Sequence, residues 1–201
     1  MKKQIIVIHG GSSYDTYDQY IADLKEFTFD LERTNRKGWK DNLTSDLGPD
    51  YEIIMPEMPN WWNARYTEWK IWFEKILPLL NKEIILIGHS LGGIFLAKYL
   101  AENNIKKKIL GTFLVAAPFD DKNGTDSLAD FVLPKTLKKF SDQSDLIYLY
   151  HSTDDPIVPF VDLQKYQDAL GGSQTVVFKN RGHFLQETFP ELVADIKNIL
   201  K

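Results

Sequence analysis

A serine becomes a nucleophile at neutral pH only when a base takes its proton, and that base needs a carboxylate to orient it. One stretch of the 201-residue chain sets a serine where such help could reach it: Ile84-Ile85-Leu86-Ile87-Gly88-His89-Ser90-Leu91-Gly92-Gly93. The apolar run predicts a short buried strand, Gly88-x-Ser90-x-Gly92 predicts a sharp turn, and Ile94 to Ala101 predicts a helix. A strand-to-helix turn of this kind projects the serine hydroxyl from the top of a sheet. Glycines suit positions 88 and 92 because strand and helix pass close together there. Without the flanking elements, the same five residues would describe only a glycine-rich turn around an inert serine.

Four histidines are available as the base, so elimination is possible. His9 ends the first apolar run. His89 adjoins the serine, where its side chain should point elsewhere. His151 ends the run that starts at Leu146. His183 lies in Asn180-Arg181-Gly182-His183-Phe184, a turn after the last strand. In enzymes built around such an elbow, the acid and then the base follow the nucleophile along the chain. His183 alone is C-terminal to the acid candidates. Those candidates sit in His151-Ser152-Thr153-Asp154-Asp155-Pro156-Ile157-Val158-Pro159, at the carboxyl end of a strand. Asp155 is favoured as the orienting acid, and Asp154 as the residue that stabilises the turn through its own backbone. The reverse assignment stays open.

An acyl-transfer oxyanion needs two fixed N–H donors. Leu91, directly after the nucleophile, supplies one. The turn His9-Gly10-Gly11-Ser12 after the first strand supplies the other, through Gly11 or alternatively Ser12. Trp61, Trp62 and Phe119 follow predicted strand ends and are candidate substrate-binding residues. Packing under a loop would equally account for such aromatics.

Six short apolar runs position these groups: Gln4–His9, Tyr51–Met55, Ile84–Gly88, Ile109–Ala116, Leu146–Tyr150 and Thr175–Phe178. Helical periodicity falls between them. Trp69, Trp72, Phe73 and Ile76 share one face, as do Leu192, Val193, Ile196, Ile199 and Leu200. Strands alternating with helices imply an α/β fold, a mostly parallel sheet of about six strands with helices on both faces. The length fits one domain spanning residues 1–201. Residues 12–50 exceed what a minimal sheet needs, with helix-like apolar positions at Tyr20, Ile21, Leu24 and Phe27. Tyr14, Asp15, Tyr17 and Asp18 read as a solvated helix start. Residues 119–145 form either a small cap over the crevice or an ordinary loop and helix.

The chain resembles the small serine hydrolases of the YdeN-like group, which includes the retinoblastoma-binding serine hydrolase, within the α/β-hydrolase superfamily. Gly88-His89-Ser90, Ser152-Thr153-Asp154-Asp155-Pro156 and Gly182-His183-Phe184 carry the resemblance. It implies a compact α/β-hydrolase fold and a triad on Ser90, Asp155 and His183. Residues 12–50 look longer than is usual in that group. The retinoblastoma interaction of the namesake uses a Leu-x-Cys-x-Glu motif. This chain has no cysteine, so that interaction is not implied.

Composition narrows the function classes. At 43% hydrophobic residues the chain can build a core, which excludes a disordered binding segment. The lack of cysteine excludes a thiol nucleophile, a disulfide scaffold and thiolate metal sites. A net charge of -4 argues against nucleic-acid and anionic-membrane partners. Met1-Lys2-Lys3 and the apolar residues after it end at Gly10-Gly11, too soon for a signal peptide, and the expected location is cytoplasmic. The expectation is therefore a serine esterase acting on a small carboxylic ester, thioester or amide, with no metal or organic cofactor. The alternatives are an acyltransferase on the same residues and a non-catalytic binding module. A short candidate cap and few apolar residues near the strand ends predict a preference for short acyl chains.

Overall fold

The computed structural model describes residues 2–31, 37–122, 124 and 127–199. Met1, Leu200 and parts of the segments 12–50 (32–36) and 119–145 (123, 125–126), all drawn into the sequence expectations, lie outside the described residues. Six strands form one parallel sheet: β1 (Lys3–Ile8), β2 (Tyr51–Ile54), β3 (Glu83–His89), β4 (Lys108–Val115), β5 (Ile147–Ser152) and β6 (Gln174–Phe178). Their order is β2-β1-β3-β4-β5-β6. Among the described residues the α-helices are α1 (Tyr17–Glu26), α2 (Trp39–Leu47), α3 (Tyr66–Ile76), α4 (Leu91–Glu102), α5 (Lys138–Gln143), α6 (Val161–Ala169) and α7 (Pro190–Ile199). None of them is long and apolar enough to cross a membrane.

The alternation of side chains along each strand feeds two separate cores. Ile6, Ile8, Ile84, Leu86, Leu114 and Leu149 face one side, against α3, α4, α5 and α6. Ile5, Val7, Ile85, Ile87, Phe113, Val115 and Tyr150 face the other, against α2 and α7. Both faces are therefore covered, as a parallel sheet requires.

The sequence pattern locates all six strands, with ends that differ by one or two residues. It is less accurate for helix faces. Trp69 and Phe73 are buried, but Trp72 is 45% exposed and does not join them in the core. Helix α1 forms where Tyr20, Ile21 and Leu24 suggested, yet buries no residue. In the second connection, Leu128, Phe131, Leu137 and Phe140 are buried in the core. Asp130 caps α3 by accepting the Tyr66 N–H at 2.9 Å.

Strand order reverses between β1 and β3, so a crevice opens at the carboxyl ends of these two strands. Ile8 pairs with Gly88, which brings the turn after β1 beside the end of β3. The helix α4 then crosses very close. A Cβ on Gly92 would stand 2.5 Å from the His9 carbonyl oxygen, and one on Gly88 would stand 2.5 Å from the Gly92 oxygen. Ser90, between them, is held at φ 54 and ψ −125. Such backbone costs about 1–3 kcal/mol. Helix α4 buries Ile94, Phe95, Leu96 and Leu100, each worth about 1.5–3 kcal/mol, which outweighs the strain.

Gly92→Ala is expected to destabilise the protein by about 3 kcal/mol, because the obstructing atoms are backbone and cannot rotate away. Gly171→Ala, where an added Cβ meets nothing within 4 Å, should stay within about 0.5 kcal/mol. Urea unfolding midpoints compare the two. Equal midpoints would contradict the packing of the elbow.

Candidate active site

Ser90 sits at the start of α4, where the helix's unpaired N–H groups and dipole favour developing negative charge. Its own N–H donates to the Val115 carbonyl at 2.9 Å, which ties the elbow to β4. The acid and base loops leave the sheet side by side, because Ser152 of β5 pairs with Phe178 of β6.

Those loops bring Asp155 and His183 together. The His183 Nδ1 lies 2.9 Å from Asp155 Oδ2 and 3.1 Å from Oδ1. The Asp155 side chain is fully shielded from solvent and that of His183 nearly so. Two backbone donors complete the carboxylate: the Ile157 and Val158 N–H groups donate to Oδ1 at 2.9 and 3.0 Å. A carboxylate with these donors accepts the Nδ1 proton, leaving Nε2 as the basic nitrogen. Ser90 and His183 line one open cleft of about 760 Å³.

Asp154 is bonded differently. Its Oδ1 accepts from Ser152 Oγ at 2.5 Å and from the Gly182 N–H at 3.0 Å. The Ser152 hydroxyl, followed by the Gly182 amide, holds its carboxyl below the usual carboxylate range. It thus ties the acid loop to the residue preceding His183. Phe184, immediately after His183, has φ 54, so the base is held in a strained turn.

Of the two donors considered after β1, the Ser12 N–H donates to the Trp61 carbonyl at 2.8 Å. Among the described residues the Gly11 and Leu91 N–H groups have no acceptor. Both residues adjoin Ser90 around a small cavity of about 30 Å³, with Pro118, Val158 and Pro159 among its walls. Trp61 and Trp62 line the open cleft, packed on each other at 4.7 Å. The structure places Phe119 elsewhere: it packs edge-on to Tyr166 and lines neither cavity. A larger groove of about 1080 Å³ continues past Trp61 and Trp62 to Tyr17 and Trp72, and contains none of Ser90, Asp155 or His183.

Three further side chains matter that spacing alone did not identify. His89 is buried, and its Nε2–H donates to the His183 carbonyl at 2.9 Å. Lys40 of α2 donates to His89 Nδ1 at 3.1 Å and lines the cleft. His151 donates from Nε2 to the Val158 carbonyl at 3.0 Å, behind the acid loop. Burial, then the Lys40 charge, push the His89 imidazole well below its ordinary range. Burial also lowers His9 and His151. Burial brings Lys40 down to about 8, opposed by Asp41.

Comparisons with known proteins show the family and the fold. A family model described as serine hydrolase matches residues 31–192. The serine hydrolase RBBP9 of Rattus norvegicus is 31% identical over 154 residues, 76% of this chain and 80% of that protein. The ydeN gene product of B. subtilis superposes with a TM-score of 0.76, covering 99% of each chain at 19% identity. An esterase domain from a Rhodothermus marinus protein superposes at 0.60, covering 98% of this chain and 84% of that one at 14% identity. The two structures share the α/β-hydrolase fold with this chain.

His9, His89 and His151 are expected to be neutral at pH 6.5, where a free imidazole is half protonated. Their folded pKa values lie below the unfolded value, so the stability they contribute is present above about 6.5 and declines as pH falls below it. Side-chain ¹⁵N NMR across pH 5 to 8 checks this. Half-protonation of His89 at pH 6.5 would contradict it.

Proposed function

The chain belongs to the serine hydrolase family, and from that premise we propose that it cleaves small carboxylic esters, thioesters or amides through an acyl-enzyme on Ser90. The observation that carries the proposal is the buried Asp155 carboxylate bonded to His183 Nδ1, with His183 and Ser90 in one cleft.

In this mechanism His183 Nε2 removes the Ser90 proton as Oγ attacks the carbonyl carbon. Negative charge gathers on the carbonyl oxygen, where the Leu91 and Gly11 N–H groups and the α4 N-terminus stabilise it. Asp155 stabilises the imidazolium without taking its proton. The imidazolium then protonates the departing oxygen, sulfur or nitrogen. Water, deprotonated by the same imidazole, attacks the acyl-enzyme and releases the acid. Asp154 acts on geometry: through Gly182 it holds the loop on which His183 stands. All the proton transfers are provided by these side chains.

The two cavities divide the substrate. The leaving group takes a proton from His183 and so lies in the open cleft, between His183 and the Trp61–Trp62 pair. The acyl group lies by the oxyanion donors, next to the narrow cavity beside Gly11 and Leu91. A buried methylene gains about 0.8 kcal/mol only while the cavity accepts it. Residues 119–145 border that cavity through Gly124, Ser127 and Leu128, consistent with a small cap.

The test is the dependence of kcat/KM on acyl length across p-nitrophenyl esters, with Ser90→Ala as the control. Values should peak at about two to six carbons, and Ser90→Ala should lower kcat by about 10⁴. A series that rises to twelve carbons would overturn the short-acyl assignment. Near wild-type turnover in Ser90→Ala would overturn the mechanism.

A further inference from the structure

The open cleft holds one cation whose position the acyl chemistry does not explain. Lys40 lies on α2, whose buried face is Trp39, Leu43 and Leu47. Trp39 anchors it by donating from Nε1 to the Phe184 carbonyl at 2.9 Å, one residue past His183. The neighbouring Lys40 is thereby directed towards the active centre. Its ammonium stands 5.5 Å from the Trp39 ring centroid and 3.1 Å from His89 Nδ1. His89 bonds in turn to the His183 carbonyl. Lys40 therefore sits one imidazole away from the candidate base, on the wall of the cleft.

A lysine ammonium has three donors, and His89 takes one. Among the described residues, Lys40 has no carboxylate within ion-pair distance. The titratable and charged groups around it are Asp41 on its own helix, Glu57 after β2, His9 after β1, His89 on β3 and His183 after β6. Asp41 and Glu57 are exposed at the rim. Asp41 is engaged elsewhere, accepting the Gly38 N–H at 2.8 Å. A half-buried cation without a carboxylate partner is costly to the fold, and an anionic ligand would relieve that cost.

We propose that Lys40 determines specificity by binding a carboxylate on the leaving side of the substrate, so that the preferred substrates are short-acyl esters or amides of carboxylate-bearing alcohols or amines. This deepens the serine hydrolase reading above and rests on it. The side of the substrate follows from position. Lys40 and His183 line the open cleft, and neither lines the small cavity beside Gly11 and Leu91. The group that His183 protonates as it departs is therefore the group within reach of Lys40. The ammonium is charged below about pH 8, the value to which burial lowers it. Anion binding should weaken as pH rises through that value.

The experiment uses a pair of phenyl acetates, one with a para-carboxylate on the ring and one with its methyl ester, at low ionic strength. The readout is the ratio of their kcat/KM values. Lys40→Met keeps the apolar stem and removes the charge. Lys40→Gln keeps a donor for His89 and removes the charge. Both variants should lower the ratio by about tenfold or more, mainly through KM, as expected for loss of one charge-assisted hydrogen bond. The wild-type ratio should fall above pH 8, and the variants should show no such fall. A ratio unchanged in both variants would overturn the proposal. So would an equal loss on both esters, which would mean that Lys40 only holds His89 and His183 in place.

A second readout needs no turnover. Calorimetric binding of 4-hydroxybenzoate should be about tenfold or more weaker when Lys40→Met is added to a Ser90→Ala background. Equal binding would overturn the anion site. A clear difference without any ester cleavage by the wild type would instead sink the hydrolase mechanism and leave the anion site standing.

Discussion

Where α4 leaves β3, its backbone passes so close to β3 and to the end of β1 that residues 88 and 92, respectively, have no room for a Cβ. The rest of the site hangs on that approach. It forces the intervening serine to φ 54. It places the first N–H groups of α4 beside the turn after β1, where two donors can converge on one oxygen. It also ties Ser90 to β4 through the Val115 carbonyl. The burial of α4 overcomes the strain, so the elbow is held in place by hydrophobic packing distant from the chemistry. Ala116 and Phe184, two further positive-φ residues near the crevice, mark points where the backbone is held against its preference.

Around this elbow, two adjacent aspartates divide between the side chain and the backbone of the base loop. Asp155 turns inward to His183 and two backbone amides, while Asp154 turns to Ser152 and the Gly182 amide. The imidazoles of His89 and His151 brace the base and acid loops from behind. Beside the base the cleft wall carries the Lys40 cation, with Asp41 and Glu57 exposed at the rim. A pocket assembled this way is narrow beside the oxyanion donors and holds a lysine beside the base, and that asymmetry shapes the substrate assignment.

Much of this was legible in the sequence because it is local. The elbow is five residues between two apolar runs, and the order of Asp155 and His183 after it restricts their roles. The strands were legible because buried parallel strands are continuous apolar runs. What escaped was long-range or weakly patterned. Trp39, Leu43 and Leu47 recur at helical spacing, but polar residues and a charged surrounding hide the face, so α2 and Lys40 went unread. His89 was expected to point away from the centre. It does turn from the nucleophile, but into the backbone of residue 183, a contact 94 positions along the chain. Phe119 and Trp72 failed in opposite directions. One aromatic expected in the cleft is packed on Tyr166, and one expected in the core is partly exposed. Helical spacing identifies a face but not what lies opposite it.

The central claim is that Ser90 is a nucleophile made reactive by the His183–Asp155 pair. The most direct measurement is peptide mapping by mass spectrometry after reaction with a fluorophosphonate, which modifies an activated serine covalently. The account predicts a single adduct on the peptide containing Ser90, formed at least about a hundredfold more slowly when Asp155 is replaced by Asn. An adduct on another serine, or labelling of Ser90 at an unchanged rate in Asp155→Asn, would contradict it.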